Sequence, residues 1–280
     1  MRQYYFILAD SELELIPSEI VNERCVLNNA RARGKAPEKI LLDASHHHPA
    51  FGKIRESDRR GRPDIPHFFL MLCLDSDLSV QGRLRAFVHT RNNDVIAVNP
   101  ETRLPPNYPR FVGLIETLYE KQVVPSAENA LLELRQGVTV ETLVSALKPD
   151  EVIVLDTNGE KTDSFAEKMV ELKGDRIAII VGGFSKGTFR SDMSKLKPKR
   201  YSLGDRMMKV WTVTAKVLCS VDVSEKYGDL LASKKPKPAK GKAHSDEAAG
   251  PSSEASPKTT KPAKAKAPSK PRPARKKKAE

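Results

Sequence analysis

A chain of 280 residues with 48 Lys and Arg against 36 Asp and Glu carries a formal net charge of +12 and a pI near 9.5. The charge is unevenly placed: residues 233–280 hold fifteen basic and four acidic side chains, a net of +11, whereas residues 1–232 hold 33 against 32. That balance excludes a globally basic body, so polyanion recognition there must come from a local patch.

The same contrast sets the domain boundaries. Residues 1–232 read as one α/β unit. Residues 233–280, with eight prolines and no Phe, Trp or Tyr, read as a disordered Lys/Pro/Ala-rich basic tail that cannot bury enough apolar surface to offset ordering. Its cations associate with polyanions in a salt-dependent way. Cys25, Cys73 and Cys219 have no metal-ligand spacing and suit buried thiols in a reducing compartment. No segment has membrane-spanning length and Met1–Phe6 is unlike a signal peptide, so an intracellular chain with no membrane role is expected.

In chain order, Tyr4 to Ala9 predicts a strand, and Ser18 predicts the cap of a helix stopping at Gly34. Ile40 to Asp43 predicts a second short strand. His46, His47 and His48 follow; consecutive residues point in different directions, which disfavours chelation and leaves a loop near a substrate as the functional alternative. In Arg59-Arg60-Gly61-Arg62-Pro63-Asp64-Ile65-Pro66, Pro63 makes Arg62 extended and Pro66 suits the first turn of a helix running to Leu74. Asp64 can cap that helix, or share a face with Arg62 and fix its guanidinium for a phosphate or base edge.

Leu84 to Arg91 and Asp94 to Val98 alternate around Asn92-Asn93, a hairpin pattern. Asn99 to Phe111 is a loop stiffened by Pro100, Pro105, Pro106 and Pro109 and carrying Arg103 and Arg110; it leads into a helix with Phe111, Leu114, Ile115 and Leu118 on one face. Stiffening lowers the entropic cost of holding a binding shape. Glu128 to Leu147 reads as helix, loop and helix. Val152 to Asp156, Ser164 to Leu172 and Arg176 to Gly182 read as strand, helix and strand in a right-handed parallel crossover.

The last of these strands empties into Gly182-Gly183-Phe184-Ser185-Lys186-Gly187-Thr188, where glycines permit positive φ and close backbone approach to a ligand. Ligands of such sheets sit beyond the carboxyl ends of the strands. Thr188 stands where a Walker lysine must be, and G-x-G-x-x-G is absent, so a nucleotidase or dinucleotide site is disfavoured. A second loop, Arg200 to Arg206, precedes an amphipathic helix with Met207, Val210, Trp211, Thr214, Val217, Leu218 and Val221 on one face.

Gly61-Arg62-Pro63-Asp64-Ile65, Leu74-Asp75-Ser76, Asn99-Pro100-x-x-Arg103-Leu104-Pro105, Arg110-Phe111-x-Gly113-Leu114, Val181-Gly182-Gly183-Phe184 and Trp211-Thr212-Val213, in this order, resemble the SPOUT-class ribosome-biogenesis methyltransferases that modify pseudouridine in small-subunit ribosomal RNA. The resemblance covers roughly Tyr4 to Asp222. It implies an α/β knot fold: a mostly parallel sheet with a deep carboxyl-terminal trefoil knot, an exception to the rule against knots. It also implies S-adenosylmethionine as cofactor, contacted by Leu155, Gly182, Gly187, Tyr201, Ser202, Leu203, Gly204, Asp205 and Arg206. Arg62, oriented by Asp64, with Arg103 and Arg110, would grip RNA; Pro106 replaces an arginine that family members often carry, which removes one phosphate contact.

The implied partners are a small-subunit rRNA loop, a second copy of the chain, and ribosomal proteins or assembly factors, in the cytoplasm or, in a eukaryote, the nucleolus. The implied reaction is methylation at pseudouridine N1, with Asp75 as candidate base and Asp64 second, although a helix-end cap also accounts for Asp75. The target base is expected in a single-stranded loop, splayed out of its stack. A non-catalytic RNA-binding assembly factor on the same fold is the alternative from another class.

Overall fold

The computed structural model describes residues 1–233, so the expected basic tail lies outside the described residues beyond Ser233. The chain runs β1 (Gln3–Ser11), α1 (Arg24–Arg33), α2 (Ala44–His47), α3 (Asp64–Leu74), α4 (Asp77–Val80), β2 (Leu84–Thr90), β3 (Val95–Val98), α5 (Tyr108–Lys121), β4 (Val123–Pro125) and β5 (Ala130–Arg135). It continues through α6 (Val140–Leu147), β6 (Glu151–Lys161), α7 (Phe165–Glu171), β7 (Arg176–Gly182), β8 (Lys199–Ser202) and α8 (Val210–Ser233). The eight strands form one sheet, in the order β4-β5-β3-β2-β1-β7-β6-β8.

β1 is central and pairs in parallel with β2 and β7, which explains why it is apolar on both faces. Tyr4, Phe6 and Leu8 point into a core built with Phe69, Phe111, Met169 and Val217, so α3, α5, α7 and α8 cover that face. Tyr5, Ile7 and Ala9 point the other way, against Val140, Leu143 and Val144 of α6. A smaller core around Ile20, Val26, Ile40 and Phe51 belongs to the segment between β1 and α3.

β6, α7 and β7 form the expected parallel crossover between adjacent strands. β8 lies beyond β6 and runs parallel to it, and Tyr201 pairs with both Leu155 and Glu160, so β6 bulges out of register between those two residues. The chain then returns through α8 to pack on α7 and α3. The bulged segment lies close against β8: a Cβ on Gly159 would meet backbone atoms of Arg200 and Tyr201 at 2.7 Å.

Four local expectations are corrected. Ala130–Arg135 is a strand, with Leu132 and Leu134 inward and Val98 opposite Leu132; pairing to β3 outweighs the helical preference of its leucines. Ile40 to Asp43 forms only an isolated bridge, Leu41 to Leu15. Ser18 opens a single 3-10 turn, and the helix that Gly34 stops, at φ 62°, begins at Arg24. Met207 precedes α8, which starts at Val210.

Candidate functional site

A cleft of about 680 Å³ opens at the carboxyl ends of β7 and β8, beside the middle of β6. Leu155, Gly182, Gly187, Tyr201, Ser202, Leu203, Gly204 and Arg206, eight of the nine positions expected around a cofactor, line it. Asp205 does not; its carboxylate is turned to solvent and pairs with Lys161 at 2.7 Å. Sequence reading missed Asp156, Thr188, Phe189 and Met208, which also line the cleft. The walls are otherwise apolar, from Val181, Phe184, Met207, Val210 and Val213, and Asp156 is the one acidic side chain among them. One oxygen of Asp156 meets Arg200 at 3.0 Å and the other accepts the Asn158 N–H.

The glycine loop is fixed from behind. Among Gly182, Gly183 and Gly187 only Gly187 uses the left-handed region, at φ 82°, and a Cβ there would come within 3.2 Å of the Arg59 guanidinium. Arg59 is buried, paired with Glu12 at 2.5 Å, donates to the Thr188 carbonyl at 3.2 Å, and lies over the Phe184 ring at 4.6 Å. Farther along, the Asp10 carboxylate accepts the N–H groups of Arg190 and Ser191 at 2.7 and 3.0 Å. Neither anchor carried a sequence signal, because each pairs residues far apart in the chain.

Arg62 stands beside the cleft. It lines a smaller cavity of about 450 Å³ whose Phe184, Met207, Met208 and Val210 are shared with the cleft, and to which Trp211 also contributes. Asp64 receives the guanidinium fork at 2.8 and 2.6 Å; it is the first residue of α3, and its side chain makes no capping bond. The hydrogen bond to Asp64 raises the Arg62 pKa, so the cation is fixed in charge as well as in direction.

The proline loop is moored to the same region. The Pro105 carbonyl is 2.9 Å from His67 Nε2, the His67 ring stacks on Phe111 at 4.3 Å, and Tyr108 donates to Asp43 at 2.6 Å. Arg103, Pro106 and Arg110 are exposed, and neither arginine has an ion-pair partner among the described residues. Asp75 is not brought to the cleft. It caps the carboxyl end of α3, eleven residues and about 16 Å of helix from the Arg62 end, and lines neither cavity. A base role within one protomer is therefore unsupported by its position. The three histidines form no metal-binding group among the described residues.

The model of the EMG1/NEP1 methyltransferase family matches residues 6–222. The chain belongs to that family. Among EMG1/NEP1 proteins, "Ribosomal RNA small subunit methyltransferase Nep1" of Pyrococcus furiosus is 42% identical over 223 residues, 79% of this chain and 97% of that protein. The protein of the same name from Methanothrix thermoacetophila is 42% identical over 216 residues, covering 77% and 94%. The crystal structure of Archaeoglobus fulgidus Nep1 bound to S-adenosylhomocysteine superimposes with a TM-score of 0.70 at 35% identity, over 81% of this chain and all of that one. The family and α/β class read from the motifs are thereby borne out, and the match ends before the tail.

Proposed function

We propose that this EMG1/NEP1 protein methylates small-subunit ribosomal RNA with S-adenosylmethionine, the acceptor being N1 of a pseudouridine in an exposed loop. The observation that carries the reading is a glycine-bordered cleft at the ends of parallel strands that shares Phe184, Met207, Met208 and Val210 with a cavity lined by Arg62. The cleft fits such a donor, with apolar walls, one carboxylate at Asp156, and backbone left bare at Gly182, Gly187 and Gly204. Leu155, Tyr201, Ser202, Leu203 and Arg206 complete the residues that would hold it; Asp205 is omitted because it faces away.

When bound, the donor supplies a methyl group activated by a positively charged sulfur. The chain contributes alignment, which lowers barriers by roughly 7–11 kcal/mol in well-oriented reactions. Arg62, Arg103 and Arg110 hold the RNA backbone so that the acceptor nitrogen faces the cleft. N1 must also lose its proton. Asp64 has both oxygens committed to Arg62 and Asp75 lies at the far end of α3, so neither is assigned as the base.

The working unit in this reading is a homodimer that meets ribosomal assembly factors in the cytoplasm or nucleolus. Phe68, Met207, Val223 and Tyr227, on α3, before α8 and along it, are 38–55% exposed, and the Phe68 and Trp211 rings lie 5.1 Å apart. Val223→Glu should lower the sedimentation coefficient toward that of a monomer. An unchanged coefficient would place the contact elsewhere. The test of function is mass spectrometry of a pseudouridine-bearing loop after incubation with protein and donor, with a uridine loop as control. Methyl addition to the first loop alone is expected; RNA binding without methyl transfer would favour a non-catalytic assembly factor.

A further inference from the structure

A second hollow, of about 670 Å³, lies between α1 and the start of α5, and it takes in part of the triple-histidine stretch that the donor cleft leaves unused. Its lining includes two buried side-chain atoms with no hydrogen-bond partner, Asn29 Oδ1 and His47 Nε2. Orphaned buried polar atoms are costly, and two of them around one hollow, on α1 and on α2, call for an occupant.

The chemistry of that occupant is constrained. His47 Nδ1 accepts the Asp43 N–H at 3.0 Å, so the neutral ring carries its proton on Nε2 and presents a donor there. Burial lowers the His47 pKa to about 4, which keeps the ring neutral. A nitrogen already protonated cannot ligate a metal. Asn29 Oδ1 is an acceptor. The charged side chains Arg33 and Asp43 of the lining are already engaged, Arg33 with Glu116 and Asp43 with Ser45 and Tyr108, which leaves no free cation among the described lining residues for an anion such as phosphate. What fits is a neutral group presenting one acceptor and one donor, set among the apolar surfaces of Leu41, Tyr108 and Val112.

We infer that this hollow receives an unstacked nucleobase of the bound RNA, other than the one being methylated. The inference rests on the RNA-methylation reading above. Its location supports it: Tyr108 and Pro109 form one wall, Arg110 is the next residue, and Tyr108 is bonded through Asp43 to the segment that carries His47. Every base has an edge with a donor beside an acceptor, and a flat ring against Tyr108 and Pro109 gains stacking as well.

The test uses the full chain, fluorescence anisotropy, and an rRNA hairpin with a pseudouridine-bearing loop, prepared intact and with each other loop nucleotide in turn made abasic. Asn29→Leu and Val112→Phe fill the hollow from opposite walls; melting temperature and donor titration establish that each variant is folded. The wild type should lose about tenfold in affinity when one particular nucleotide is made abasic, the scale of one or two buried hydrogen bonds. Both variants should bind the intact hairpin about tenfold more weakly and be indifferent to that abasic change. Wild-type affinity in folded variants, or losses that add to every abasic change alike, would mean a hydrated hollow and overturn the inference. If the wild type binds and Arg110→Ala weakens it without such coupling, only this inference falls; if the wild type ignores the hairpin, the RNA reading falls with it.

Discussion

Arg62 and Asp64 sit two residues apart where Pro63 ends an extended segment and α3 begins, and their fork-to-carboxylate pairing sets the direction of a cation at the cleft's edge. Removing the cation and removing its support have different signatures. Arg62→Ala should weaken RNA binding about tenfold to a hundredfold and lower the salt slope by about 0.7, because one phosphate loses its neutralising charge. Asp64→Asn should weaken binding less and leave the slope unchanged. Neither should alter donor affinity by calorimetry; lost donor affinity would reassign Arg62 to the cleft. This pair was legible because proline and spacing restrict local geometry. Asp205 was not, because loop sequence does not state which way a side chain turns, and Lys161 draws it outward. Arg59 and Asp10 were invisible because the loop residues they hold, Thr188 and Arg190, are more than a hundred residues away.

Elements were legible where the pattern was local and obscure where a distant strand decided. The hairpin of β2 and β3 and the crossover through α7 follow from alternation and period. β5 did not, since it is pairing with β3 and β4 that makes its leucine-rich segment extended. The close contact of the β6 bulge with β8 is likewise a long-range event with one local mark, Gly159. Gly159→Ala sets a methyl against three backbone atoms within 2.8 Å that no rotamer change can move, so a loss on the order of 3 kcal/mol or more is expected from urea denaturation. A change under 1 kcal/mol would mean that this contact yields easily. His47, in α2, gives a pH signature. Its pKa falls from 6.5 unfolded to about 4 folded, through burial, so between those values the unfolded chain binds a proton that the native chain refuses. The contribution is complete above pH 6.5 and lost as pH falls through 4. Unscreened it would amount to about 3 kcal/mol, and solvent in the adjoining hollow reduces it to on the order of 2. Urea midpoints at pH 7, 5.5 and 4.5 should fall accordingly in the wild type and more gently in His47→Gln; equal slopes would exclude His47 as the source.

For the whole molecule, charge and shape are divided between two parts of the chain. The body is close to neutral and carries the cleft, whereas residues 233–280 carry a net charge of +11. A neutral body with a few aimed arginines selects a site by geometry, while a cationic segment raises affinity for any polyanion by releasing counterions from it. The two contributions separate on a plot of log affinity against log salt. Each neutralised phosphate of a single strand contributes about 0.7 to that slope, so a chain ending at residue 232 should lose several tenths to several units of slope according to how many lysines engage. Its discrimination between a pseudouridine loop and a uridine loop at saturating RNA should persist, because the residues that would hold donor and acceptor all lie within the family match at 6–222. A truncated chain with unchanged slope would remove the tail from RNA binding altogether. A truncated chain with normal donor affinity but no discrimination would instead move part of the specificity out of the body and into the last 48 residues.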